Sequence, residues 1–302
     1  MTASKIPSLT AVIPISRMAD QLNRLNQTLL ECVATGTQVI LVHDIQDDFT
    51  GIQIQNLIGY QQLLATTKLR LLEGIFGAPG TSRNSALDLI DTDWTAFWDA
   101  DDSPDVMQVI SMINEADRFG SDAALGNFEE IDFQTGARLR KSEGTKKLGT
   151  VCNTALNPGL WRWAFRTSQI KNFRFPDIRM GEDQLFLVEI SPFSKQLYVH
   201  PNVVYRYSRN RRGQLTSDKV AVREVKEAVI CLGLVADEFG NRDSKLFTSI
   251  IFWKLSLTYL KNVFNPIEIV RILFKADYSN QIRKLGSSNL ILGLIKVITS
   301  KI

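Results

Sequence analysis

Apolar positions fall into two alternating registers over the first third of the chain. Leu9 to Ile15 is a short, mostly β-branched run that reads as a buried strand, and Met18 to Cys32 places apolar residues at helical spacing before Gly36, a natural helix terminator. Gln38 to Val42 is a second strand, ending at His43-Asp44, and Ile52 to Leu64 is a looser helix. A strand at Leu69 to Leu72, a glycine-containing turn (Gly74, Gly77, Gly80), a helix from Thr81 to Ile90 and a strand from Trp94 to Trp98 complete the series. Strands alternating with helices predict βαβ units and a mostly parallel sheet. In such sheets ligands gather at the carboxyl ends of the strands. The polar residues there, Ser16-Arg17, Asp44 and Asp99 to Asp102, are therefore the places to look for chemistry.

Beyond residue 104 the pattern is mixed. Val106 to Phe119 has helical spacing, Ala123 to Phe133 strand character, Thr135-Gly136 a turn, and Trp161 to Arg166 strict alternation. From Val220 the period is helical through Glu238, again from Leu246 to Phe264, and again from Leu290 to Ile302. No internal repeat is visible.

Composition narrows the class. With 302 residues and 44% hydrophobic positions the chain can bury a substantial core, and a net charge of +3 is too small to imply nucleic acid. Three widely spaced cysteines (Cys32, Cys152, Cys231) suggest free thiols in a reducing compartment. The two histidines, His43 and His200, show no metal-ligand pairing, so no zinc site is expected and a hydrolase triad would have to use one of them. The polar first nine residues do not read as a signal peptide, and no long uncharged apolar run predicts a bilayer span. Cytoplasmic residence is the expectation.

Phe97-Trp98-Asp99-Ala100-Asp101-Asp102 sets three carboxylates just past an apolar strand. Like charges this close are costly to bury unless a cation is shared. Hard oxygen ligands with open positions suit Mg²⁺ or Mn²⁺ held jointly with a diphosphate. The plain alternative is an acidic turn in which Asp102 or Ser103 caps a helix starting at Pro104. Upstream, Gly77-Ala78-Pro79-Gly80-Thr81-Ser82-Arg83-Asn84 leads into a helix. On its own, Arg83 reads as a helix-surface residue paired with Asp88 or a nearby acid.

Taken together, Gly77 to Asp102 resembles the inverting glycosyltransferases of family 2, which have the GT-A fold; the likeness extends from Leu9 to about Thr216. The strand carrying Pro14 and the strand ending at His43-Asp44 follow the order of that family. The resemblance implies that Pro14, Asp44, Arg83, Asp99 and Asp101 bind a nucleotide-sugar donor: Asp44 at the nucleobase, Arg83 at the diphosphate, Asp99 at the ribose or sugar. It implies that Asp101 ligates Mn²⁺ or Mg²⁺. His43 stands where the family usually has a first aspartate. Met180-Gly181-Glu182-Asp183-Gln184-Leu185-Phe186 matches the family's Glu-Asp element, which makes Asp183 the general base and Glu182 an acceptor contact. Trp161 is an acceptor platform by the same resemblance, or a core residue. Tyr205 to Ser217 resembles the loop that closes over the donor, but Arg209-Asn210 replace the usual histidine, and Arg209, Arg211 and Arg212 offer guanidinium groups to phosphate.

The expected organisation is an α/β, GT-A catalytic domain over residues 1–218, with donor-binding part 9–103 and acceptor-binding part 104–218, and a helical C-terminal extension over 219–302. The expected partners are a nucleotide-sugar donor, UDP-linked first, and a glycan or lipid-linked glycan acceptor. The C-terminal helices pack on the catalytic domain, form a homodimer, or rest on the cytoplasmic face of an anionic membrane. No glycine-rich Gly-x-Gly-x-x-Gly turn follows the first strand and no P-loop is present, which excludes the common dehydrogenase and phosphotransferase readings. A non-catalytic nucleotide-sugar-binding relative remains the alternative.

Overall fold

The computed structural model describes residues 7–16, 22–45, 50–141, 147–210, 219–234, 241–262 and 285–299. Two compact units are interleaved along the chain: one of residues 1–144, 160–172 and 196–211, the other of 145–159, 173–195 and 212–302.

The first unit is built on one sheet. Strands β1 (Leu9–Ile15), β2 (Gln38–Asp44), β3 (Leu69–Gly74) and β4 (Trp94–Phe97) lie in the order β3-β2-β1-β4 and pair in parallel. Ala11, Val12 and Ile13 are all buried, as a central strand covered on both faces requires. Pro14 is tolerated because its missing N–H faces the side where β4 has already ended: Trp98 N–H bonds the Val12 carbonyl and the neighbouring strand then leaves.

Helix α1 (Leu22–Thr35) buries Leu25, Thr28, Leu29 and Cys32 and stops at Gly36, whose φ is +74°, as its sequence position predicts. The single helix expected at Ile52 to Leu64 is two, α2 (Thr50–Gln55) and α3 (Ile58–Ala65), because Leu57 is extended at the junction. The break lets Gly59 meet α1, where its N–H donates to Asn26 Oδ1 and a Cβ would lie 2.6 Å from that of Leu29.

Helix α4 (Pro79–Leu87) precedes β4; the two-residue strand β5 (Ser103–Pro104) and α5 (Val106–Arg118) follow it. Past β4 the sheet becomes mixed. Strand β8 (Trp163–Arg166) runs antiparallel to both β4 and β6 (Ala123–Asp132), and β7 (Arg138–Lys141) pairs antiparallel with β6. Strand β9 (Leu197–Arg209) lies parallel to β6 and antiparallel to β5. Thus Tyr205 to Arg209, expected in a loop, end a thirteen-residue strand. The register shift against β6 around Asn127 explains why the alternation there reads poorly. A short helix, α7 (Thr167–Ile170), closes β8. The parallel pairing expected from the sequence holds for the first four strands and for β6 with β9.

The second unit is helical: α6 (Lys147–Leu156), α8 (Glu182–Ile190), α9 (Lys219–Leu234), α10 (Arg242–Asn262) and α11 (Ser287–Thr299). Helix α10 is the hub, burying Phe247, Ile250, Ile251 and Phe252, each contributing about 1.5–3 kcal/mol of apolar transfer free energy. Lys254 Nζ donates to the Leu156 carbonyl at the end of α6, and Trp253 Nε1 to the Leu290 carbonyl of α11. Helix α11 buries Leu290, Gly293 and Val297, while Ile291, Ile295 and Ile298 are 60%, 49% and 53% exposed. Among the described residues no helix is long and apolar enough to cross a membrane.

Candidate active site

The carboxyl ends of β2 and β4, flanking β1, carry Asp44 and Asp99. Asp44 is buried, and its Oδ2 accepts the Gly77 N–H at 2.9 Å while Oδ1 takes the Phe76 N–H at 3.4 Å. Its carboxylate therefore fixes the turn that leads from β3 into α4. Beside it His43 is buried with Nδ1 3.2 Å from Glu73 Oε1, its register partner on β3. Pro14 is half-buried near the end of β1, in register with Val42.

Arg83 sits on the second turn of α4, 5% exposed, and its Nη2 donates to Asp99 Oδ1 at 2.8 Å. Asp88 is the C-cap of that helix. This ion pair joins the helix to the segment that follows β4.

The three aspartates divide sharply. Asp99 is one-third exposed and Asp101 half-buried, but Asp102 is 2% exposed. Asp102 Oδ1 accepts the Ser208 N–H at 2.7 Å and Oδ2 the Tyr205 O–H at 3.0 Å. Burial, with the charges of Asp101 and Asp99 second, holds its carboxyl well above the usual carboxylate range. Burial and the same carboxylates push the Tyr205 phenol up. Asp102 does not cap α5, as one reading of the sequence had it; Asp105 does, accepting the Gln108 N–H. Ser208 Oγ donates to the Asp101 carbonyl and accepts from the Arg24 guanidinium of α1, and Arg24 also lies 4.4 Å over the Phe133 ring.

This arrangement bears on a divalent cation. Among the described residues no three His, Cys, Asp or Glu side chains converge as a metal-binding group. Asp102 spends both oxygens internally and Asp99 gives one to Arg83. Asp101, a half-buried hard oxygen donor in the turn between β4 and β5, suits a cation whose other ligands come from a diphosphate and water.

An aromatic group adjoins the cluster. Trp161, half-buried, stacks on Tyr205 (centroids 4.4 Å apart, planes at 18°) and on Tyr207 (5.4 Å, 7°), and meets Phe128 edge-on. It packs against the core, and part of its surface stays open. Around it, Glu129 and Glu130 of β6 pair with Arg138, Arg140, Arg206 and Arg209. Burial, and next Arg140, pull the pKa of Arg162 down to about 9; its guanidinium lies 5.0 Å over Phe128. Arg209 is thus engaged with Glu130, and Arg211 and Arg212 lie outside the described residues.

Asp183 and Glu182 belong to the second unit and form the first turn of α8. Gly181, the N-cap, has φ +87°, and a Cβ there would lie 2.9 Å from that of Ala228; glycine is needed on both counts. Asp183 is half-buried and its Oδ1 accepts the Gln184 N–H at 2.8 Å, whereas Glu182 is buried. Sequence motifs singled out Arg83, Asp99, Asp101 and Asp183 as candidates, but not the hydrogen bonds that Tyr205, Ser208 and Arg24 make to or near the acidic segment. The Tyr205/Tyr207 alternation after Val203 was the one available signal.

The glycosyl transferase family 2 model matches residues 11–196. The succinoglycan biosynthesis protein ExoO of Rhizobium meliloti (strain 1021) is 23% identical over 220 residues, 67% of this chain and 61% of that protein. The chain thus spans about three fifths of the length of that relative. Among solved structures, S. aureus TarS 1–349 in complex with UDP-GlcNAc has a TM-score of 0.60 at 15% identity, covering 97% of this chain and 92% of that one. The mannosyltransferase PcManGT from Pyrobaculum calidifontis, in complex with GDP-Man and Mn²⁺, has a TM-score of 0.57 at 12% identity over 99% and 89%. These two share the fold, which is GT-A. With a family match over more than half its length and this architecture, the chain belongs to glycosyl transferase family 2.

Proposed function

We propose that the chain transfers a sugar, with inversion, from a nucleoside-diphosphate sugar to a hydroxyl of a glycan or lipid-linked glycan, in the synthesis of a polysaccharide or related glycan. The observation that carries this reading is the pairing of the buried Arg83 with the one-third-exposed Asp99 just past the carboxyl end of β4, beside the half-buried Asp101. A fixed guanidinium and an open carboxylate suit a diphosphate and its counter-cation. The UDP-GlcNAc complex of TarS and the GDP-Man, Mn²⁺ complex of PcManGT support a nucleotide-sugar donor, with UDP placed first. The succinoglycan biosynthesis relative supports a glycan acceptor.

In this reading Arg83 neutralises the donor diphosphate, Asp99 contacts the ribose or sugar, and Asp101 holds Mn²⁺ or Mg²⁺. When bound, the cation stabilises the charge that grows on the departing diphosphate. Asp44 offers its remaining lone pairs to the nucleobase beside Pro14. Asp183 takes the proton of the acceptor hydroxyl; that oxygen then bonds the anomeric carbon from the face opposite the leaving group, and the bond to the β-phosphate oxygen breaks. The nucleoside diphosphate leaves with the electron pair, and a single displacement inverts the anomeric centre. Trp161 offers a ring face to an acceptor sugar, and Glu182 supports the acceptor from the first turn of α8. The exposed Ile291, Ile295 and Ile298 of α11 support peripheral contact with a membrane, where lipid-linked acceptors reside.

The test is a panel of nucleotide sugars assayed for hydrolysis and transfer with Mn²⁺, Mg²⁺ and chelator. Activity with one donor, abolished by chelator and by Asp101→Ala, is the expected result. Turnover that survives both would remove the cation and Asp101 from the reading, and absence of nucleotide binding would remove the donor.

A further inference from the structure

We propose that Tyr205 is a positioning residue that, with Asp102 and Ser208, sets where Asp99 and Asp101 stand. The inference rests on the donor reading of those two aspartates. One phenol oxygen ties both ends of the acidic segment: it accepts the Asp99 main-chain N–H at 3.1 Å and donates to the Asp102 carboxylate at 3.0 Å. Between these ends the Asp102 N–H closes a turn onto the Asp99 carbonyl at 3.2 Å. Ser208 secures the middle, its hydroxyl on the Asp101 carbonyl at 3.2 Å and its own N–H on Asp102.

Three carboxylates within four residues repel, and left to itself the segment would splay toward solvent. Here one of them, Asp102, is turned inward and used as an anchor. The backbone of the other two is thereby held at fixed positions by β9, a strand 103 to 107 residues distant in sequence. Tyr205 is itself fully buried and clamped by its stack on Trp161, so its oxygen has little freedom. Preorganisation of this kind acts on ligand affinity and on the alignment of reacting groups.

Tyr205→Phe keeps the ring and the Trp161 stack and deletes only the oxygen. The control is Tyr198→Phe on the same strand, which deletes a comparable hydrogen bond to Glu115 away from the acidic segment. Both are to be compared with the unaltered chain by calorimetric titration of UDP in the presence of Mn²⁺, together with melting temperature and the separate kcat and KM for the donor. We expect the Kd for UDP with Mn²⁺ to rise about tenfold in Tyr205→Phe and to stay unchanged in Tyr198→Phe, although both melt earlier. Ser208→Ala, which removes the hydroxyl's bond to the Asp101 carbonyl and its contact with the Arg24 guanidinium but keeps the Ser208 N–H on Asp102, is expected to weaken UDP a few-fold and serves if Tyr205→Phe does not fold. Unaltered UDP affinity in the folded Tyr205→Phe and Ser208→Ala chains, or equal weakening in Tyr198→Phe, would overturn the inference. Failure of the unaltered chain to bind UDP with Mn²⁺ would instead strike the donor reading on which it rests.

Discussion

Arg83 Nη2 lies 2.8 Å from Asp99 Oδ1, joining the second turn of α4 to the end of β4. The guanidinium is enclosed and the carboxylate one-third open, so the pair stands between a core ion pair and a surface one. Arg83→Ala should cost about 1–3 kcal/mol of stability, less than for a fully enclosed pair, by leaving Asp99 without its counter-charge. It should also weaken UDP at least tenfold. Arg83→Lys should recover the stability better than the affinity, because an ammonium cannot reproduce the planar fork. Thermal melting and UDP titration of the two variants check this; equal UDP affinity in all three chains would contradict it.

Asp183 stands in the first turn of α8, half-buried. If it removes the acceptor proton, Asp183→Asn should lower kcat by about 10²–10⁴ while leaving UDP affinity within a factor of two or so. The amide preserves the shape and the acceptor for the Gln184 N–H. A parallel loss of nucleotide binding would point to a different role.

His200 of β9 is 2% exposed, with Nε2 3.4 Å from Gln108 Oε1. Burial lowers its pKa below the ordinary 6.5, and Glu115 opposes this only in part. The folded state therefore stays neutral at pH values where the unfolded chain has taken up a proton, so the stability linked to His200 is present above about 6.5 and lost as pH falls below it. Melting temperatures at pH 7 and pH 5 should differ more for the unaltered chain than for His200→Gln. Identical slopes in the two chains would show that His200 is not responsible.

The isoleucines at 291, 295 and 298 recur at helical spacing on one exposed face of α11, with Leu290, Gly293 and Val297 on the packed face. From Tyr278 to Ile302 the sequence carries Arg283, Lys284, Lys296 and Lys301 and no acidic residue. The full chain should therefore sediment with vesicles containing phosphatidylglycerol, release with salt, and ignore pure phosphatidylcholine. Ile295→Glu should abolish the binding without lowering the melting temperature. A lipid-free dimer dispersed by the same substitution would show that a second copy covers this face instead.

Much of the architecture was legible because it is local. Alternation of β-branched runs with helical spacing located β1 to β4 and α1, and the Arg83, Asp99-Ala100-Asp101 and Glu182-Asp183 motifs marked the strand and helix ends where the structure carries them. What stayed hidden depends on distance in sequence. Asp102 and Ser103 look alike as helix caps until β9 arrives to enclose Asp102. The break at Leu57 goes with the seating of Gly59 on α1, a contact made between residues 33 apart in sequence. Strand β9 itself was obscured by Pro201 and by its irregular register against β6.

The path of β9 has a practical consequence for anyone shortening this protein. The family match ends at residue 196, one position before β9 begins, yet β9 supplies the neighbour on which both β6 and β5 depend. A fragment trimmed to the matched region would strip Asp102 of Tyr205 and Ser208, expose the long edge of β6 and invite edge-to-edge association. The smallest piece worth expressing therefore runs at least through Arg209.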